Sequence, residues 1–351
     1  MSVERERLAI FAEGLFDRHN AKTAHGVIRY GARNVVAVID SEFAGRFADD
    51  VVPFCQRQVP IVATLADAVE LGATALLIGV APTGGKLDEA WRAPLLEAIE
   101  LGLDLEAGLH TQLAEDPELR RAAAIKGVSL RDLRATPLDL QVPKGPSSRP
   151  DSVRVVHSVG SDCVIGKKVV TLELDLAARA RGLRSVYVPT GQTGVAIAGW
   201  GIAVDHVIAD YIAGAGERLV HDGSERGDLL FVEGQGALYH PAYSGVTLGL
   251  LHGCAPDLLV LVHKAGSTAI RNYPDRPLPS LPELIDAYEH VARPVRPTKV
   301  AAIALNTSEL HDDAAARAAI EAAESETGLV ADDLVRFGAD RVLDAILAAL
   351  P

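Results

Sequence analysis

Gly160 and Gly166 enclose five residues, Ser161, Asp162, Cys163, Val164 and Ile165, and are followed directly by Lys167 and Lys168. An apolar run at 153–156 predicts a strand and 167–180 a helix, so the glycines bracket a strand, loop and helix. Successive backbone N–H groups and the positive helix end converge in such a turn, and Lys167 adds a full charge. The chemistry is the cradling of anionic oxygens, above all phosphate. The loop is one residue longer than the usual four-residue spacing. Loops that drive phosphoryl transfer carry Ser or Thr after the lysine, as a Mg²⁺ ligand. Lys168 stands there instead. An ammonium cannot ligate a metal, so the loop is expected to hold a phosphate ester or pyrophosphate without cleaving it.

Further groups gather after other predicted strands. The apolar run 229–232 ends on Glu233, where a companion strand would deliver a carboxylate to the loop. Tyr239, His240, Tyr243 and Ser244 follow on an expected loop, with Glu233 and His240 as candidate acid or base. Thr190, Gln192 and Thr193 lie among glycines after the strand 185–188 and suit a polar ligand. Lys264 and Arg271, beyond the strand 258–262, are candidates for a substrate carboxylate, or for ordinary surface ion pairs. Asp205 and Asp210 fall five apart in an expected helix, and Lys22, His25 and Arg29 share one face of another.

Two bodies must position these groups, since 351 residues exceed one typical domain. Strands predicted at 8–11, 35–39, 61–63 and 75–79 alternate with helical patterns at 65–71 and 91–101, and a glycine-rich ligand loop is expected at 79–85. Strands at 153–156, 185–188, 229–232, 258–262 and 300–304 and helices at 167–180, 312–326 and 339–350 make the second run. Alternation of this kind predicts α/β domains with parallel, doubly wound sheets. The Pro-, Ser- and Gly-dense stretch 137–150 is linker composition, giving domains at 1–140 and 150–351.

The charge of −13, from 34 Lys and Arg against 47 Asp and Glu, argues against nucleic acid and anionic lipid as partners. Three cysteines without metal-like spacing suggest neither disulfides nor a metal site, and no apolar run is long enough for a membrane span. A cytoplasmic homo-oligomer acting on small molecules is expected.

The segment from Gly160 to Lys167 and the strand end from Val232 to Gly236 resemble those of dethiobiotin synthetases. Across both halves, the motifs beginning at Ala21, Gly79, Gly108, Gly160, Thr190, Gly201, Val232 and His240 resemble the family of domain of unknown function 1611. That resemblance implies a Rossmann-like N-terminal domain and a P-loop NTPase-like C-terminal domain. It also implies transfer of acetyl from acetyl-CoA to the amino group of D-glutamate or a similar amino acid. In that reading Gly160, Ser161, Asp162, Cys163, Gly166, Lys167 and Lys168 hold coenzyme phosphates, with no metal. Thr190, Gln192, Thr193, Tyr239, Ser244, Lys264 and Arg271 would meet the substrate. The rival is an ATP-dependent ligase or kinase, with Mg²⁺ on Glu233 or Asp162; a purine near Leu305, Asn306 and Thr307 is expected in both readings and does not separate them. A third class is a nucleotide-binding sensor without turnover.

Overall fold

The computed structural model describes residues 6–82, 84–145 and 149–351. Thr83 of the expected ligand loop and 146–148 of the expected linker lie outside them. Contacts divide the chain into two units, Met1–Thr136 with Gln192–His206, and Pro137–Gly191 with Val207–Pro351.

The first unit runs β1 (Arg7–Phe11), α1 (Lys22–Tyr30), β2 (Asn34–Ile39), α2 (Ala48–Val51), β3 (Ile61–Val62), α3 (Leu65–Glu70), β4 (Ala75–Ile78), α4 (Arg92–Glu100), β5 (Asp104–Ala107), α5 (Pro117–Lys126) and β6 (Leu130–Asp132). Its six strands are parallel in the order β3-β2-β1-β4-β5-β6, the doubly wound arrangement that reverses between β1 and β4. β5 and β6 escaped the sequence reading because charged residues interrupt them. Glu106 on β5 is buried, and Arg33 grips it with two hydrogen bonds of 2.8 and 3.1 Å while Arg131 adds a third. Burying that carboxylate is tolerable only because it is paired and hydrogen-bonded.

The second unit contains β7 (Arg154–Gly160), α6 (Lys167–Ala180) and β8 (Ser185–Val188). The chain then gives α7 (Gln192–Ala198) to the first unit before α8 (Ile212–Ser224), β9 (Leu229–Val232), α9 (Ser244–Cys254), β10 (Leu258–Lys264), the short antiparallel pair β11 (Ala269–Ile270) and β12 (Tyr273–Pro277), α10 (Leu281–Ala292), β13 (Lys299–Asn306), α11 (Asp313–Thr327), β14 (Ala331–Asp332) and α12 (Asp340–Ala349). Its main sheet is parallel in the order β14-β13-β10-β7-β9-β8, which puts β7 inside it. One sheet face is covered by Val170 and Leu174 of α6 and Val342, Leu343 and Ile346 of α12. The other meets Leu251 of α9, Leu284 and Tyr288 of α10 and Ile320 of α11. Each such side chain contributes about 1.5–3 kcal/mol when fully buried, so the strand carrying the loop is anchored on both faces.

The structure refines one expectation and corrects another across residues 192–210. Sequence reading assigns 192–206 to the second domain; they group with the first unit, where the Thr193 hydroxyl lies 2.7 Å from that of Thr23 and Ile197 fits against Gly26. Asp205 and Asp210 sit on separate 3-10 turns, Val204–His206 and Ala209–Tyr211, and Asp205 pairs with Arg134. Among the described residues no helix is long and apolar enough to cross a membrane.

Candidate active site at the phosphate loop

The loop leaves β7 at the carboxyl ends of the parallel strands. Its turn requires left-handed backbone at Val164 (φ 57°) and at Gly166 (φ 110°), the latter a conformation that glycine adopts without strain. Three loop carbonyls are tied back by side chains. Gly160 O accepts from the Tyr288 hydroxyl (2.7 Å), Ile165 O from Asn306 Nδ2 (3.0 Å) and Asp162 O from Lys167 Nζ (2.7 Å). The Asp162 carboxylate accepts the N–H groups of Cys163 and Arg271, each at 2.6 Å. With the carbonyls committed, the first-turn N–H groups of α6, which have no intrahelical acceptors, are the donors left for an anion. Burial lowers the Lys167 ammonium to about 8, against the opposing pull of Cys163, Asp162 and Glu233. Burial also pushes the Cys163 thiol up to about 11.

Glu233 closes β9 beside β7 and β8. One of its oxygens accepts the Tyr187 hydroxyl (2.7 Å) and the Thr190 N–H (3.2 Å). Burial raises the carboxyl above its ordinary value, while Lys168 and these donors oppose the rise. Gly234 follows, its N–H bonded to Ser158 Oγ (2.9 Å); a Cβ there would fall 1.8 Å from Ser158 O. Only glycine lets the strand end approach β7 this closely and bring Glu233 toward the loop.

His240 is 2% exposed, stacked on Tyr243 (4.6 Å between centroids) and edge-on to Tyr273 (5.3 Å). A ring nitrogen of His240, the Cys163 thiol sulfur and an Asp162 carboxylate oxygen lie within 4.8 Å of one another. His240 therefore belongs to the loop site. Its Nδ1 accepts the Ala242 N–H (3.2 Å), which places the proton of the neutral ring on Nε2. Nε2 is buried with no partner among the described residues. In this tautomer His240 donates through Nε2, whereas the Glu233 carboxylate accepts, so Glu233 is the better placed of the two candidates to take a proton. The mixed O, S and N set resembles a zinc donor set, yet Nε2 carries a proton and both Asp162 oxygens already accept N–H groups.

The structure gives the other candidate residues the following partners. Thr190 is fully buried, its N–H and hydroxyl both bonded to Glu233, so it positions that carboxylate; Gln235 Nε2 bonds the same hydroxyl at 3.2 Å. Gln192 and Thr193 lie in the first unit. Lys264 pairs with Glu309, and Arg271 reaches the loop through its backbone N–H. Thr307 is bonded to Asp333 (2.6 and 2.8 Å), and the Asn306 side chain donates to Ile165 O of the loop. Tyr239 and Tyr243 are exposed, and Ser244 opens α9. In the first unit, His25 Nε2 meets Phe16 O (2.6 Å), and the Arg29 guanidinium lies over Tyr30 and Phe54. Sequence reasoning missed Tyr187, Tyr288 and the Ala242 N–H. The two tyrosines read as core, and nothing local marks their hydroxyls as tethers.

Family models match both halves of the chain: a DUF1611 domain of unknown function described as a P-loop domain over residues 144–343, and its N-terminal counterpart, described as Rossmann-like, over 41–136. A D-glutamate N-acetyltransferase of Tritonibacter scottomollicae is 40% identical over 81% of this chain and 84% of its own. Another of that name, from Pseudoalteromonas sp., is 36% identical over 70% of this chain and 74% of its own. The crystal structure of a DUF1611 family protein from Anabaena variabilis is 41% identical and superposes with a TM-score of 0.91, covering 98% of this chain and 100% of that one. Likeness of this extent makes the protein an enzyme of the N-acetyltransferase class. With a P-loop domain and a Rossmann-like domain each matched by its own model, the chain belongs to the DUF1611 family.

Proposed function

We propose that the enzyme transfers acetyl from acetyl-CoA to the amino group of D-glutamate or a closely similar amino acid. The acetyl group and its acceptor follow the relatives' names, and coenzyme A as the donor follows from the phosphate loop. The observation that carries the reading is the loop itself, a phosphate cradle with Lys167 in place and Lys168 where a Mg²⁺-binding hydroxyl would stand. Coenzyme A offers a diphosphate and a 3′-phosphate that need holding and no cleavage.

In this reading the loop N–H groups and Lys167 hold phosphoryl oxygens. Glu233, its carboxyl raised by burial, takes a proton from the substrate ammonium so that the free amine attacks the thioester carbon. Backbone N–H groups of the glycine-rich turns donate to the oxyanion; as it collapses the C–S bond breaks, and the departing coenzyme thiolate takes up the second proton shed by the attacking nitrogen.

The test is a parallel incubation of the purified protein with acetyl-CoA or Mg-ATP and a panel of D- and L-amino acids. Amine-dependent release of free thiol with acetyl-CoA, greatest with D-glutamate, is the expected result. ADP formation without thiol release would replace this reading with the ligase or kinase.

A further inference from the structure

We propose that His240 is a phosphate-binding residue: a neutral imidazole whose Nε2–H donates to a phosphoryl oxygen seated in the 160–166 loop. The inference rests on the coenzyme reading above for the source of that phosphate, and the closing experiment separates the two.

Three observations meet here. The Ala242 N–H occupies Nδ1 and leaves the ring's proton on Nε2. Tyr243 and Tyr273 hold the ring from a face and an edge, so it is fixed in position. Among the described residues Nε2 is buried without a partner, although His240 reaches to within 4.8 Å of the loop's Asp162 and Cys163. An orphaned buried donor costs roughly 1–3 kcal/mol. A donor held in place against that penalty, beside a loop built to present N–H groups, is one whose acceptor arrives with the ligand.

The chemistry of the acceptor follows. Asp162, which accepts the Cys163 and Arg271 N–H groups, does not accept from Nε2, and the Cys163 thiol is kept protonated by burial, so neither satisfies the donor. An anionic oxygen satisfies the imidazole and neighbours the Lys167 ammonium and the α6 N-terminus. A divalent metal on the same cluster would need the Nε2 lone pair, which this tautomer denies it.

The decisive comparison uses the full-length protein as wild type, His240→Phe and His240→Gln. Phenylalanine keeps a ring between Tyr243 and Tyr273 but has no N–H, whereas glutamine restores a donor. Calorimetric titration with CoA, dephospho-CoA, pantetheine and inorganic diphosphate reads the effect, and thermal melts establish that all three proteins fold. A hydrogen bond to a charged group predicts about 10- to 100-fold weaker CoA binding in His240→Phe. His240→Gln should recover most of the loss, and pantetheine, which lacks phosphate, should not distinguish the proteins. If dephospho-CoA shows the same penalty as CoA, the diphosphate is the acceptor; if it shows none, the 3′-phosphate is. In turnover, KM for acetyl-CoA should rise in His240→Phe while kcat holds.

Equal CoA affinity in wild type and His240→Phe overturns the inference, as does a fall in kcat at unchanged KM, which would put the residue in the chemistry. Zn²⁺ binding by the wild type that His240→Phe abolishes also overturns it, in favour of a metal centre. A wild type that binds no CoA sinks the coenzyme reading alone. Diphosphate then decides the inference, which stands if His240→Phe weakens its binding and falls if the affinity is unchanged.

Discussion

Lys167 Nζ lies 2.7 Å from the carbonyl oxygen of Asp162, five residues earlier in the same loop. The ammonium is thus folded onto its own turn, buried, and lowered to about 8 by desolvation. A phosphate bound here would draw it back toward full charge. Diphosphate or CoA affinity should hold between pH 6 and 7.5 and weaken as pH rises through about 8. Lys167→Met should bind about 10- to 100-fold more weakly, with that pH dependence lost, by titration across the same range.

The same shift has a stability counterpart. Folding lowers Lys167 from 10.5 to about 8, so between these values the unfolded chain holds more protons and stability gains with rising pH. Below about 8 both states are protonated and this contribution is flat. Denaturant midpoints of wild type and Lys167→Met should therefore converge as pH rises from 8 toward 10, the wild type gaining relative to the variant.

Glu233→Gln removes the proposed base while keeping an acceptor for Tyr187 and Thr190. The expected loss is about 10²- to 10⁴-fold in kcat, with acetyl-CoA binding preserved. In the wild type the rate should fall as pH drops through the raised carboxyl pKa. Tyr187→Phe removes a donor to the ionised carboxylate, so its acid limb should move to higher pH. A pH-rate profile of the three proteins decides the point; an unchanged acid limb in Tyr187→Phe would remove Glu233 from the base role.

Of the three cysteines, Cys55 and Cys254 are buried and pushed up to about 12, while Cys163 is half-buried in the loop. Iodoacetamide should modify Cys163 first, slowly at neutral pH because its thiol lies at about 11, and diphosphate should protect it. Peptide mass spectrometry against time, with and without diphosphate, reads both rates.

Gly253 of α9 faces α8 so closely that a Cβ would come within 2.0 Å of Ala213 O. Gly253→Ala must part the two helices. The expected destabilisation is about 1–3 kcal/mol, measured by urea unfolding.

The turn of Gly160, Gly166 and Lys167 was legible because it is local: one strand, one turn and one helix end within a few residues. The wound sheets were legible for a similar reason, since strands such as β8 and β9 are continuous apolar runs. β5 was not, because Glu106 owes its burial to Arg33, which lies on no neighbouring stretch of sequence. Residues 192–206 read as a ligand turn from their glycines and small polar groups, and only packing against Thr23 and Gly26 shows that they group with the first unit.

From the order of residues alone come the two-part chain, the phosphate loop, its missing Mg²⁺-binding hydroxyl and the family. Folding settled the roles of individual side chains: Thr190 positions Glu233, Asn306 and Tyr288 brace the loop, Lys264 serves Glu309, and Ala242 makes His240 a donor. The reason is that a covalent motif specifies nearby backbone geometry, whereas a side chain's protonation and partners depend on groups brought within hydrogen-bonding distance from remote parts of the chain.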